Sequence, residues 1–342
     1  MTTEAPSSDL VRSQNWSGSI PVVLTLAPNS LGTTMMPHPI HLLVPRGTFL
    51  HVGLRSAIQR LHKFAPATIS LLSSGGMLKR NEPEPQGDDD EDDNEKTNGV
   101  TNAGAKNSKS QQLQSKDSFP VCWLEDEETQ LPLRWHLFAG VLFDMMETSK
   151  RQSIPWKIRL HFFNYPSSQL LPMEADEVWT TIERSFKNSL KQALFLQYGS
   201  SRIAMNMTRQ THQRLWDSIE SANYKLYQQI NVDLQATNDG NNTSVQLLPI
   251  RVFLDSKPPI QRPCPAAATE GETATLTTLG DLLLGWLPEV FQKTADGDVE
   301  PNSPSCRWFV AGMHPPLSTL VLELWENLCH PDHFLYIVVL TR

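Results

Sequence analysis

Two separate stretches of this chain run through nearly the same succession of short apolar segments, and that duplication restricts the available folds more than any single motif does. In the first, "IPVVLTLA" (20–27) and "HPIHLLVPRG" (38–47) are apolar, β-rich runs, and "TFLHVGLRSAIQRLHKFAP" (48–66) follows with Leu50, Leu54, Ile58 and Leu61 at helical spacing. Next, "FPVCWLEDEETQLPLRW" reads as a strand pair around an acidic turn and "HLFAGVLFDMM" as a short helix. "PWKIRLHFFNYP" closes the unit as a strand in which Ile158, Leu160 and Phe162 alternate. The C-terminal third repeats this with little identity: "QLLPIRVFLD" (246–255) and "IQRPCPA" are strands, and "TLTTLGDLLLGWLPEVF" is a helix opened by Thr277 or Thr278. "CRWFVAGMHPP", "LSTLVLELWENL" and "FLYIVVL" then give strand, helix and terminal strand.

That order is the β-grasp order of ubiquitin-like domains. The expected fold class is α+β: two ubiquitin-like β-grasp domains flanking a helix-rich domain. The expected boundaries are an N-terminal helical segment at 1–17, a first ubiquitin-like domain at 18–167, a helix-rich domain at 168–236, a linker at 237–244 and a second ubiquitin-like domain at 245–342. In the middle, Trp179, Ile182, Phe186, Leu190 and Leu194 form one helical stripe, and "NMTRQTHQRLWDSIESANYKLYQQINVDL" forms a second amphipathic stretch with Leu215, Ile219, Leu226 and Ile230. Lys191 lies about 100° around the first helix from the middle of its stripe, at the apolar border. Spacing alone makes it a solvated lysine whose stem snorkels over the apolar edge.

Charge and composition remove whole classes. The net charge of −8 belongs to one segment: residues 81–95, "NEPEPQGDDDEDDNE", hold nine acids, and without them 28 acids face 29 bases. The surrounding 74–117 has almost no large apolar side chains, so it reads as a disordered acidic insertion. It lacks the Gly and Glu positions of a calcium loop. The loops at 256–275 and 293–305 are rich in Pro, Ala and Gly. No 18-residue apolar run occurs and the start lacks the pattern of a signal peptide, so an intracellular, soluble chain is expected.

Four widely spaced cysteines, Cys122, Cys264, Cys306 and Cys329, are expected as free thiols. None is flanked by the His and acid that would mark a thioester-forming nucleophile. "CHPDHF" offers Cys329, His330 and His333 but no fourth ligand nearby, so it reads as a structural turn and no metal is expected. Trp135, Trp156, Trp216, Trp286 and Trp325 fall in apolar-periodic segments and read as core. There is no phosphate-binding glycine loop and no basic nucleic-acid stripe, so no cofactor and no nucleic acid are expected. A ubiquitin-like modifier needs a flexible C-terminal glycine, whereas this sequence stops at "IVVLTR" after a strand, so the expected role is acceptor or scaffold.

The segments "PLRWHLFAGVLFDMM", "PWKIRLHF", "NSLKQA", "QRLWDSI", "TLGDLL" and "HPDHFLYIVVL", in this order, together with "NWSGSIP" near the start, resemble the autophagy protein 5 family. The resemblance implies two ubiquitin-like domains around a helical region. It also implies that the lysine of the "SLKQA" motif, here Lys191, is the isopeptide acceptor for the C-terminal glycine of the ubiquitin-like autophagy protein 12. The competing candidate, Lys187, does not match the motif. A fixed helix beside apolar groups suits such an amine. Lys191 would be a substrate residue of the conjugating machinery rather than a catalytic one.

The resemblance further implies a non-catalytic subunit of an E3-like complex. With the helix of a coiled-coil autophagy protein 16, seated in a groove of all three domains, the conjugate would bring the conjugating enzyme to the membrane and promote lipidation of autophagy protein 8 by proximity. It implies a cytoplasmic protein recruited to the preautophagosomal (phagophore) membrane by peripheral contact. Arg46, in "LLVPR", is implied as a partner-helix contact; from the residues alone it reads equally as a solvated arginine at a helix start. Ser19 stands where some relatives carry a basic residue. The alternative function is a ubiquitin-like adaptor that binds partners and is never conjugated.

Overall fold

The computed structural model describes residues 8–66, 119–146, 154–173, 177–235, 246–270 and 273–341. The expected acidic insertion at 74–117 and the expected linker at 237–244 lie wholly outside the described residues. The elements run α1 (Ser8–Ser17), β1 (Ser19–Leu26), β2 (Ile40–Pro45), α2 (Leu50–Gly53), α3 (Arg55–His62), β3 (Trp123–Asp126), α4 (Ala139–Met145) and β4 (Trp156–His161). Four helices follow: α5 (Val178–Tyr198), α6 (Arg202–Asn206), α7 (Arg209–Glu220) and α8 (Tyr224–Gln235). The last part holds β5 (Leu247–Leu254), β6 (Ile260–Pro265), β7 (Ala267–Glu270), β8 (Thr273–Leu276), α9 (Leu279–Trp286), β9 (Phe291–Lys293), β10 (Val299–Pro301), β11 (Arg307–Val310), α10 (Val321–Leu328) and β12 (Leu335–Leu340).

The first four-stranded sheet has the order β2-β1-β4-β3, with β1 and β4 parallel at the centre and the outer strands antiparallel to them. The second, β11-β12-β5-β6, has the same plan around the parallel pair β5 and β12. A parallel pair cannot be closed by a tight turn, so the intervening chain must cross over, and it does so through helices. Both domains therefore have the expected β-grasp architecture on either side of the helices.

The two sheets are not equally covered. Ile20, Val22, Leu24 and Leu26 of β1 point into the first core. All six residues of β12 are buried, and they divide by parity: Leu335, Ile337 and Val339 enter the second domain's own core, while Tyr336, Val338 and Leu340 join the core shared with the helices and the first domain. Side chains alternate along a strand, so "FLYIVVL" must be apolar throughout to face a core on both sides. Through this two-sided strand the second sheet packs its outer face on α4, while the neighbouring strand β5 lies against α5.

Several local readings change. The segment after β3 is a turn held by one bridge, Glu125 to Pro132, because Pro132 has no N–H to extend a ladder. The single stretch expected over 206–234 is two helices: Ala222 takes φ +49° and the Asn223 side chain accepts from the Leu226 N–H, ending α7 and starting α8. The loops at 256–275 and 293–305 contribute the small hairpins β7–β8 and β9–β10. Their strands are too short and polar to show an alternating apolar pattern. On α5 the buried stripe includes Val178 while Trp179 is only half-buried, its ring tilted against Phe119 and under Arg55. Trp135, Trp156, Trp216 and Trp325 are buried and Trp286 is half-buried.

Thr278 is the residue that opens α9. Its hydroxyl accepts from the Asp281 N–H at 3.1 Å and the Asp281 carboxylate accepts from the Thr278 N–H at 3.1 Å, a complete capping box. Thr278→Ala is expected to lower stability by about 1 kcal/mol, read as a shift of the urea midpoint with no change in slope.

Candidate functional site

The 21-residue helix α5 carries both candidate lysines on one flank. Ile182, Phe186, Leu190, Ala193 and Leu194 are buried along its other side, and Gln197 continues the buried face. Counted at 100° per residue, the five-residue stripe centres nearer 120° than 100° from Lys191, and the face that is buried, with Val178 in place of Trp179 and with Ala193 and Gln197 added, centres about 140° away. The expectation of a partly sheltered Lys191 is corrected accordingly: Lys191 is exposed, and Lys187 is the half-buried one. Lys187 is tied to Glu183 one turn earlier in a close ion pair. Lys191 makes no ion pair or side-chain hydrogen bond among the described residues. On α7, His212 titrates below its ordinary value, from burial first and then from the charges of Lys187 and Lys191, which places α7 alongside this part of α5.

The residues on either side of Lys191 are fixed by the second β-grasp domain. The Ser189 hydroxyl donates to the Asp332 carboxylate at 2.5 Å, and the Tyr336 hydroxyl donates to the same oxygen at 2.7 Å. From β5, Arg251 donates to Tyr336 at 2.9 Å and to the Gln192 side-chain oxygen at 2.9 Å, lies 3.9 Å from Asp332, and stacks over Phe334 at 3.9 Å. Asp332 is 1% exposed, and burial raises its carboxyl above the usual range against the pull of Arg251, Ser189, Tyr336 and the Phe334 N–H. The network clamps the helix through positions 189 and 192, so Lys191 extends into solvent from a fixed backbone. Sequence reasoning missed these residues. The available signal was the single arginine in "LLPIRVFL" and the single acid in "HPDHF", isolated charges in apolar surroundings that need a partner.

Arg46 is not the solvated arginine that the residues alone allowed. Its side chain is 17% exposed and its terminal nitrogen donates to both carboxylate oxygens of Asp144 on α4, at 2.6 and 2.7 Å, and to the Gly140 carbonyl at 3.3 Å. Gly312 of the second domain, at φ +80°, packs on the guanidinium so closely that a Cβ there would lie 2.7 Å from it. Arg46 is thus a strut between α4 and the turn after β11. Because Asp144 is only 5% exposed in its side chain, Asp144→Asn leaves a buried arginine short of its counter-charge. The expected loss is about 3 kcal/mol, measured by urea unfolding, and the Arg46→Met/Asp144→Leu pair should lose much less.

The other candidates do not assemble into chemistry. Cys329, His330 and His333 do not converge, and among the described residues no three His, Cys, Asp or Glu side chains are placed to hold a metal ion. All four cysteines are free thiols, and burial pushes them up, Cys122 and Cys329 to about 12 and Cys264 and Cys306 to about 11. Thiols held protonated in this way are poor nucleophiles. No described helix is long and apolar enough to cross a membrane. Where α1, α8 and α10 meet, a small cleft is lined by Arg12, Trp16, Tyr224, Tyr227 and Cys329, with the Trp16 ring in tilted contact with both tyrosines.

Comparison with known proteins gives a consistent result along the chain. Three family models match: autophagy protein ATG5, UblA domain, over residues 100–162; its alpha-helical bundle region over 180–237; and its UblB domain over 247–339. Autophagy protein 5 of Debaryomyces hansenii is 28% identical over 244 residues, covering 67% of this chain and 78% of the relative. Autophagy protein 5 of Oryza sativa subsp. indica is 34% identical over 105 residues, 31% of this chain and 26% of the relative. The crystal structure of Kluyveromyces marxianus Atg5 superposes with a TM-score of 0.64 at 18% identity, covering 96% of this chain and 99% of that one. That likeness is one of fold, and it spans both sheets and the helices between them.

Proposed function

From the membership of this chain in the autophagy protein 5 family, which gives it a role in autophagy, we propose that it is the acceptor half of a covalent conjugate with the ubiquitin-like autophagy protein 12 and that Lys191 supplies the bond. The observation that carries the reading is the display of Lys191: exposed, without a partner among the described residues, on a helix held at Ser189 and Gln192. In the reaction the lysine Nζ attacks the thioester carbonyl of the modifier held on its conjugating enzyme. A C–N bond forms, the C–S bond breaks, the thiolate leaves on the enzyme and the amine proton passes to solvent. The chain contributes a positioned amine that is consumed as the nucleophile, and no acid or base of its own, so it is a substrate and scaffold rather than an enzyme.

The conjugate works with a coiled-coil autophagy protein 16, whose helix lies in a groove to which the helical region and both β-grasp domains contribute. The junction of α1, α8 and α10 and the strut of Arg46 between the two β-grasp domains are consistent with such a groove. In this role Arg46 supports the groove wall and offers the partner only the edge it leaves exposed. The assembly acts like an E3, bringing the conjugating enzyme to the phagophore membrane from the cytoplasm so that autophagy protein 8 is joined to lipid. The test is a blot of native extract with antibody to this chain, followed by peptide sequencing of the larger band. A band heavier by one ubiquitin-like protein, branched at Lys191, is the expected result. A single unmodified species would replace this reading with that of an unconjugated adaptor.

A further inference from the structure

From Arg184 to Trp216 the sequence holds six arginines and lysines and no aspartate or glutamate. Three of the six have partners: Arg184 with Glu177 at 3.2 Å, Lys187 with Glu183, and Arg214 with the Gln229 side-chain oxygen at 2.9 Å. Lys191, Arg202 and Arg209 are exposed and make no ion pair among the described residues. Apolar surface lies with them. Phe195, one turn beyond Lys191, is 58% exposed, and Met205 on α6 is 67% exposed. Between α6, the start of α7 and α8 an open groove of about 370 Å³ is lined by Ile203, Met207, Ile230 and Leu234, with Arg202 and Thr208 beside them. Unpaired cations around exposed apolar side chains are the makings of an association surface, not of an ordinary solvated helix face.

We propose, resting on the acceptor reading, that this face docks an acidic protein surface belonging to the enzyme that carries the acyl thioester, one apolar side chain of which enters the groove. Charge complementarity selects an acidic partner: an acid-free stretch of 33 residues repels basic surfaces and steers acidic ones. A protein is selected over a bilayer because Ile203, Met207, Ile230 and Leu234 line a concavity that accepts a side chain, and Phe195 and Met205, which stand exposed outside it, are too few for a wedge into lipid. The position of the face beside Lys191 follows from the same chemistry, since the reacting carbonyl travels on the docked protein and must be delivered to Nζ.

The test is a single-turnover transfer from the preformed thioester of autophagy protein 12 on its conjugating enzyme to the full chain, at varied chain concentration. Arg202→Glu/Arg209→Glu is expected to raise the apparent KM about tenfold while the maximal rate stays, and to blunt the slowing that added salt causes in the parent chain. Arg202→Lys/Arg209→Lys should behave as the parent, and Arg262→Glu, a charge reversal on exposed β6, should leave the reaction unchanged. An unchanged KM in the double reversal overturns the proposal. So does the loss of binding to phosphatidylserine-containing vesicles with KM intact, which assigns the face to lipid. If the parent chain itself accepts no modifier, the acceptor reading falls and this proposal with it.

Discussion

Lys191→Arg is expected to abolish the proposed slower-migrating conjugate and, with it, the lipidation of autophagy protein 8, while the chain stays folded and still binds the proposed coiled-coil partner. Arginine keeps the charge, the helix propensity and an apolar stem, and position 191 is exposed, so the fold has nothing to lose there. What disappears is a primary amine, and a guanidinium that stays protonated cannot attack a thioester. Lys187→Arg run in parallel retains the conjugate, because Lys187 is half-buried and held by Glu183. Electrophoresis of the conjugate, circular dichroism and partner pull-down on the same preparations separate chemistry from folding. Conjugation that survives Lys191→Arg but not Lys187→Arg moves the acceptor one turn along α5; conjugation surviving in both removes the helix from consideration.

The amount of this arrangement visible in the sequence depended on how local each cause was. The β-grasp order was legible because strands such as "IPVVLTLA" and "FLYIVVL" owe their conformation to their own apolar residues. The continuous apolarity of "FLYIVVL" was visible too, but its reason, one core on each face, depends on which elements pack from outside. The proposed acceptor, Lys191, was marked by family motif rather than by physical chemistry, and spacing misjudged its shelter because Val178 rather than Trp179 belongs to the buried face of α5, which turns that face away from Lys191. Arg46 and Asp144 are 98 residues apart and Ser189 and Asp332 are 143 apart, so no periodicity could pair them. The two hairpins at 267–276 and 291–301 were hidden because backbone pairing, not side-chain pattern, makes them.

Those long-range junctions also set a large response to acid. Three histidines, His51, His330 and His333, are buried and a fourth, His136, is half-buried, and all are held neutral: burial lowers His51, His136 and His333 to about 4 and His330 to about 3, with Arg134 and Arg251 adding to the effect at His136 and Arg46 at His330. His330 packs between Phe138 and Tyr336, and both ring nitrogens of His333 lack a hydrogen-bond partner among the described residues. Neither site has a group ready to receive an added proton. Below about pH 6.5 the unfolded chain protonates these rings and the folded chain does not, so the unfolded state binds more protons and stability falls as the pH falls. Each ring costs about 1.4 kcal/mol per pH unit once the window is fully entered, down to its folded value. Asp332 and Glu220 have the opposite sign, since burial raises both carboxyls and a raised folded value favours the native state on acidification, but they are two groups against four. With typical domain stabilities of about 5–15 kcal/mol, the histidines suffice to unfold the chain between about pH 5 and about pH 4. Urea midpoints followed by tryptophan fluorescence from neutral pH downward should fall steeply below about pH 6, and His330→Phe should remove about one proton from the slope. A midpoint that stays level to about pH 5 would show that these rings are protonated in the folded protein after all, and that the junction they occupy is open to water.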